Sequence, residues 1–141
     1  MEAGATTRTI VVGALAALAY YTLLSLITQA LPYVPVPAWW RPVWPSPTLA
    51  VQTWFGLMDA AGALFAALPV AALLVWRVRG RAAAVGLATG VVVATYVLGS
   101  SVIEYGTGRK ILLAAVSQFV WVALALPTFA LLLVRGRGIR Q

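Results

Sequence analysis

Four stretches, at 9–31, 49–76, 82–103 and 111–134, are each long and apolar enough to cross a bilayer. That feature constrains the fold of this 141-residue chain more than any other. A spanning helix needs ~20 mostly apolar residues, and inside lipid each backbone N–H and C=O must be satisfied within its own segment or in a closed barrel. Long uninterrupted runs of this kind form helices. The third run contains GVVVATYVL, which leans towards strand by residue type. β-Branched residues are nevertheless ordinary in lipid-embedded helices, where the backbone has no other partner. Composition agrees: 9% of residues are charged and 62% are hydrophobic, whereas a soluble domain has about 25% charged residues.

The links RVRGR at 77–81 and EYGTGRK at 104–110 are short, and short links make successive helices antiparallel neighbours. The expected fold is one domain over 1–141. It is an all-α integral membrane protein, a four-transmembrane-helix antiparallel bundle of two helical hairpins. Arg8, Arg77, Arg79, Arg81, Arg135, Arg137 and Arg140 fall on one side, and Arg41, Arg109 and Lys110 on the other. The positive-inside rule puts both termini in the cytoplasm, in a cell (inner) membrane, and the loop 32–48 outside. TQA at 28–30 loosely resembles a signal-peptide cleavage site. The apolar stretch before it is longer than a signal core, so a retained span is expected.

The chain has no cysteine and no histidine. Thiolate chemistry, thiolate-bound zinc or iron–sulfur clusters, haem histidines and histidine bases are thereby excluded. No catalytic residue, metal ligand or cofactor is assigned. The net charge of +7 does not point to nucleic acid, because the basic residues border apolar runs and form no groove with interleaved aromatics.

The loop LPYVPVPAWWRPVWPSP at 31–47 holds six of the eight prolines and three of the six tryptophans. Prolines bar regular helix and favour polyproline-like extension. Tyr33, Trp39, Trp40, Trp44 and Trp54 suit the headgroup layer, where an aromatic ring is half wet. The expected loop is an external, interfacial strap lying over or beside a polar cleft. Arg41 among the rings suits an anionic headgroup. Ser46 followed by Pro47 reads as an N-cap and first turn.

AALPVAALLVWRVRG at 66–80 echoes LALPTFALLLVRGRG at 124–138, with Pro69 over Pro127, Arg77 over Arg135 and Arg79 over Arg137. Two hairpins related by a rough two-fold along the membrane normal would give this echo, with bending points at both prolines. Helix ends that independently collect arginines would give it too.

Residues four apart share a helix face. Gly13, Ala17, Tyr21, Ser25 and Gln29 make one stripe in the first span. In the third, Ala82, Gly86 and Gly90 lead to Tyr96, Ser100, Ser101 and Glu104. Gln52, Gly56 and Asp59 are followed by Ala63 and Ala67 in the second, and Gln118 lies near Ala114 and Ala125 in the fourth. Small residues thus fill the cytoplasmic half and polar ones the outer half. Small residues let helices approach closely, and polar ones avoid lipid by facing inward. The expectation is a bundle sealed inside, with a polar cleft opening outward and no continuous pore. GLATG at 86–90 is read as packing within the bundle.

A carboxylate within hydrocarbon is costly, which singles out Asp59. Its expected partners are Gln118, Tyr96 and Ser100, with Arg109 or Lys110 reaching down. Glu104, beside YGTGRK, reads as a solvated acid paired with Arg109. The candidate ligand-binding residues are Asp59, Gln118, Tyr96, Ser100, Gln52, Tyr21, Gln29, Trp39, Trp40 and Arg41. The expected function is non-enzymatic: an accessory subunit that binds a lipid-like ligand or a partner. The alternative is a small proton- or cation-coupled transporter using Asp59. Expected partners are membrane lipids, a larger membrane complex or further copies of the chain, and no nucleic acid.

Overall fold

A computed structural model describes residues 2–30, 34–106 and 108–138, with the side chains at 2–3, 105, 109–113 and 137–138 outside the description. The described chain is all-helical: α1 (Glu2–Ala30), α2 (Pro47–Arg77), α3 (Ala82–Tyr105) and α4 (Arg109–Gly138). Four stretches are long and apolar enough to span a membrane, one at each helix: Gly4–Ala30, Pro47–Arg77, Arg79–Glu104, which begins in the turn before α3, and Ala114–Gly136. The helices outrun the apolar segments at most ends because, once nucleated, each further residue adds a hydrogen bond.

Local chemistry sets several boundaries. Ser46 is extended, its hydroxyl oxygen accepts from the Leu49 N–H at 3.2 Å, and Pro47 occupies the first turn. A single 3-10 turn at Arg79–Arg81 joins α2 to α3. α3 stops at Gly106, whose φ of 81° is one that side chains rarely adopt, and whose N–H donates to the Val102 carbonyl at 2.9 Å.

Gly13 meets Val85 and Tyr21 meets Tyr96, so α1 and α3 run parallel. Gly86 lies against Pro127 and Gly90 against Ala123, so α3 and α4 run antiparallel. Both termini therefore lie at one end of the bundle. α3 packs most extensively on α4, then α2 on α4, while α1 rests on α2 and α3. This arrangement departs from a two-fold, one of the two origins open for the sequence echo. Such symmetry would make the α1–α2 pair as intimate as α3–α4, and the α1–α4 contact like α2–α3; neither holds. The echoed prolines differ accordingly: Pro69 is exposed and Pro127 is buried. The Arg137 side chain of that echo lies outside the described residues.

The core is built of small residues, among them Ala16, Ala63, Ala66, Ala67, Ala71, Ala94, Ala125 and Ala130, with Tyr20, Leu74, Leu126 and Val122 among its largest fully buried side chains. Large apolar side chains such as Ile10, Phe65, Trp76 and Leu132 point outward. In a membrane, lipid would solvate them as well as a protein interior does, and association would rest on close packing. The tightest approach is at Gly90, where a β-carbon would lie 2.6 Å from the Ala123 carbonyl oxygen. That carbonyl stands four residues before Pro127, which has no N–H to donate to it. The Gly90 Cα–H covers the oxygen that proline left short of a donor. GLATG thus packs inside the bundle.

Hydroxyls in the helices bond their own backbone. Thr22, Thr95 and Thr128 donate to the carbonyls of Leu18, Val91 and Leu124 at 2.7–2.8 Å. In an apolar solvent that removes the cost of an unpaired O–H.

Candidate functional site

At the end of the bundle opposite the termini, all four helices contribute to one cleft of about 410 Å³. α1 supplies Tyr21, Ser25, Thr28 and Gln29, α2 supplies Asp59, α3 supplies Ser100, Ser101 and Glu104, and α4 supplies Gln118; Leu24 and Val97 complete the wall. A second groove of about 410 Å³ runs between α2 and α4, lined by Val51, Gln52, Phe55, Gly56, Asp59, Ala114 and Ser117. Asp59 lines both.

The cleft exists because of what lies beneath it. Tyr20 is fully buried and its hydroxyl donates to the Val122 carbonyl at 3.0 Å, tying α1 to α4 across the bundle. Towards the termini, alanine and glycine close the helices together. Away from them, hydroxyl, amide and carboxyl side chains hold the helices apart.

Among the described residues the carboxylates of Asp59 and Glu104 have no ionic or hydrogen-bonding partner. The side chains of Arg109 and Lys110, expected above Asp59, lie outside the described residues. Ser100 donates its hydroxyl hydrogen to the Val97 carbonyl at 2.9 Å, and Thr28 to the Leu24 carbonyl at 2.7 Å. Their lone pairs stay free. These two hydroxyl oxygens and the carboxylates face the cleft as acceptors, beside the donors and acceptors of Gln29, Gln118, Ser25 and Ser101.

The structure brings five of the ten candidate residues together here: Asp59, Gln118, Ser100, Tyr21 and Gln29. Gln118 and Ser100 share the cleft with Asp59 without bonding it. Gln52 sits in the α2–α4 groove instead. Tyr96 is 60% exposed and does not line the polar cleft. It stands edge-on to Tyr21, ring centres 5.1 Å apart, beside an apolar recess between α1 and α3. It lies one turn nearer the termini than Ser100, where the wall has already become apolar.

Trp39, Trp40 and Arg41 line neither the cleft nor the groove. The strap is also less extended than expected: Trp40 N–H donates to the Pro37 carbonyl at 3.0 Å, and Arg41–Val43 form a 3-10 turn with Pro42 in it. Proline's fixed φ suits such a turn as well as it suits extension. The strap folds back on α2. The Trp40 indole N–H donates to the Ala50 carbonyl at 2.9 Å, and Trp40 and Trp54 lie 5.5 Å apart, with Trp39 and Trp44 against Trp40. Trp54 is buried in this cluster and is not part of an exposed belt. Tyr33 lies outside the described residues.

Sequence reasoning missed Thr28 and undervalued Glu104. The signal for Glu104 was present, since it follows Ser100 by four residues on one face. No protein family, curated protein or solved structure matches this chain.

Proposed function

We propose that this chain is a small, non-enzymatic membrane protein that holds a lipid-like ligand or a membrane partner in the cleft around Asp59. The observation that carries this reading is a polar cleft, fed by all four helices, with a carboxylate that has no partner among the described residues, inside a bundle closed below by alanine and glycine. Such a cavity lies within the size range of small-molecule sites. An ionisable side chain inside a membrane span is a functional candidate by default.

The distribution of arginine and lysine favours both termini in the cytoplasm of a cell membrane, with the cleft facing outward. Trp76, exposed and stacked by the Arg77 guanidinium at 4.1 Å, suits the inner headgroup layer. The tryptophan cluster suits the outer one, as an anchor or a docking surface for an accessory role.

A second reading is a proton- or cation-coupled transporter, favoured by the position of Asp59 on both the cleft and the groove. Two measurements separate them, co-purification and uptake. Lipids and proteins that purify with wild type and disappear with Asp59→Asn support binding at the cleft. Loss of proteins with Trp39→Ala/Trp40→Ala alone assigns the partner to the strap. Proton-coupled uptake by the purified protein in vesicles, abolished by Asp59→Asn, replaces the binding reading with transport. A wild-type preparation that carries nothing more than either variant refutes ligand holding.

A further inference from the structure

Resting on the cleft-binding reading above, we infer that the ligand is an amphiphile with an amine head, which reaches Asp59 sideways between α2 and α4. Three observations meet at this point.

The first is charge. Among the described residues, the charged side chains lining the cleft are Asp59 and Glu104, and neither is ion-paired there. An anionic head would meet two carboxylates there. The second is hydrogen-bond polarity. Ser100 and Thr28 have already donated their hydrogens to their own helices, so they face the cleft as acceptors. Carboxylates accept only, and an ammonium group donates three hydrogen bonds and accepts none. Lining and ligand are complementary in sign, and the amides of Gln29 and Gln118 can turn their oxygens to the same head.

The third is the tail. The α2–α4 groove is walled by Val51, Phe55, Gly56 and Ala114, and it shares Asp59 with the cleft. Val51 and Phe55 are exposed on the surface that lipid would cover. An alkyl chain lying in this groove puts its head at the carboxylate. Gly56 has open space around a β-carbon, so a larger side chain there fills the groove while leaving Asp59 unaltered.

The test is thermal stabilisation of the full chain in a neutral maltoside detergent, titrated with dodecyltrimethylammonium, dodecylamine, tetramethylammonium and dodecyl phosphate. The expected result is saturable stabilisation by dodecylamine, and weaker stabilisation by dodecyltrimethylammonium, which carries the charge but has no N–H to donate. Their apparent affinity falls at least tenfold in Asp59→Asn and in Gly56→Leu, while tetramethylammonium is at least a hundredfold weaker. Equal binding of tetramethylammonium and of the long-chain amines overturns the amphiphile and leaves a free amine as the ligand. Stabilisation by dodecyl phosphate that depends on Asp59 overturns the amine while the cleft reading survives. If no probe stabilises the protein and no lipid purifies with it, both fail. Unchanged affinity in Gly56→Leu, with a folded circular-dichroism spectrum, overturns the sideways route.

Discussion

Replacing Gly90 with alanine tests the α3–α4 packing at its narrowest point. The new β-carbon would lie 2.6 Å from the Ala123 oxygen and 3.2 Å from its carbonyl carbon. Ordinary carbon–oxygen contacts of this kind are about 3.3–3.6 Å, so the backbones must part locally by about 0.7 Å. Both sides of the contact are backbone, so no rotamer change relieves it. Overpacking of this sort costs about 1–3 kcal/mol. The substitution also brings the helical advantage of alanine over glycine, about 1 kcal/mol. Gly99→Ala removes that ambiguity, because Gly99 lies in the same helix with nothing within 4 Å of its β-position. Unfolding free energies, from titration with dodecyl sulfate in maltoside micelles followed by circular dichroism, should place Gly90→Ala about 1–3 kcal/mol below Gly99→Ala. Gly86→Ala, whose β-carbon would meet the Pro127 Cα at 3.4 Å, should fall between them. Equal stability of Gly90→Ala and Gly99→Ala would show that α3 and α4 do not meet as described.

Tyr20→Phe removes the hydroxyl that bonds the Val122 carbonyl and should cost about 0.5–1.5 kcal/mol by the same titration. Trp40→Phe deletes the indole bond to the Ala50 carbonyl. Faster proteolysis within the strap and a red-shifted tryptophan emission are expected, with the rest of the bundle unchanged. Ser46→Ala removes the α2 cap, at about 0.5–2 kcal/mol, visible as faster amide exchange in the first turn. Asp59→Asn should raise stability in the absence of ligand by about 1 kcal/mol, a fraction of the ~2.5–3.5 kcal/mol that a mid-bilayer aspartate costs on insertion scales.

The helices were legible because lipid leaves the backbone only one local solution, and because Ser46–Pro47 marks a start in plain chemistry. Which face of each helix turns inward was much less legible. In α1, Tyr20 and Tyr21 are adjacent, and each heads a stripe of residues four apart. The sequence stripe through Ala17, Tyr21 and Ser25 was expected to face the interior. The structure buries Ala16, Tyr20 and Leu24, and Tyr21 is 37% exposed. In water, polar residues would mark the outer face; in lipid, both faces of α1 are apolar and the pattern is silent. Glycines chose the neighbours of α3, and that too is hidden in one dimension, since the partner of Gly90 is a carbonyl exposed by a proline thirty-seven positions on.

That pairing also explains why stability and the candidate site occupy opposite ends. Close helix approach requires small side chains, and small side chains leave no room for polar groups between helices. A four-helix chain of this size that packs through Gly86, Gly90, Ala63 and Ala67 at one end must splay wherever side chains grow. Tyr20 stands near that transition, its ring buried and its hydroxyl anchored to α4. Beyond it, each residue that props the bundle open is also one that avoids lipid by facing the opening. The acid on α2 therefore sits in a cleft formed by the same side chains that would solvate it. Enlarging one core alanine near this level, Ala94→Leu for instance, should widen the cleft and weaken the α3–α4 contact together. A variant that lost stability without altering the cleft would separate two properties that this packing joins.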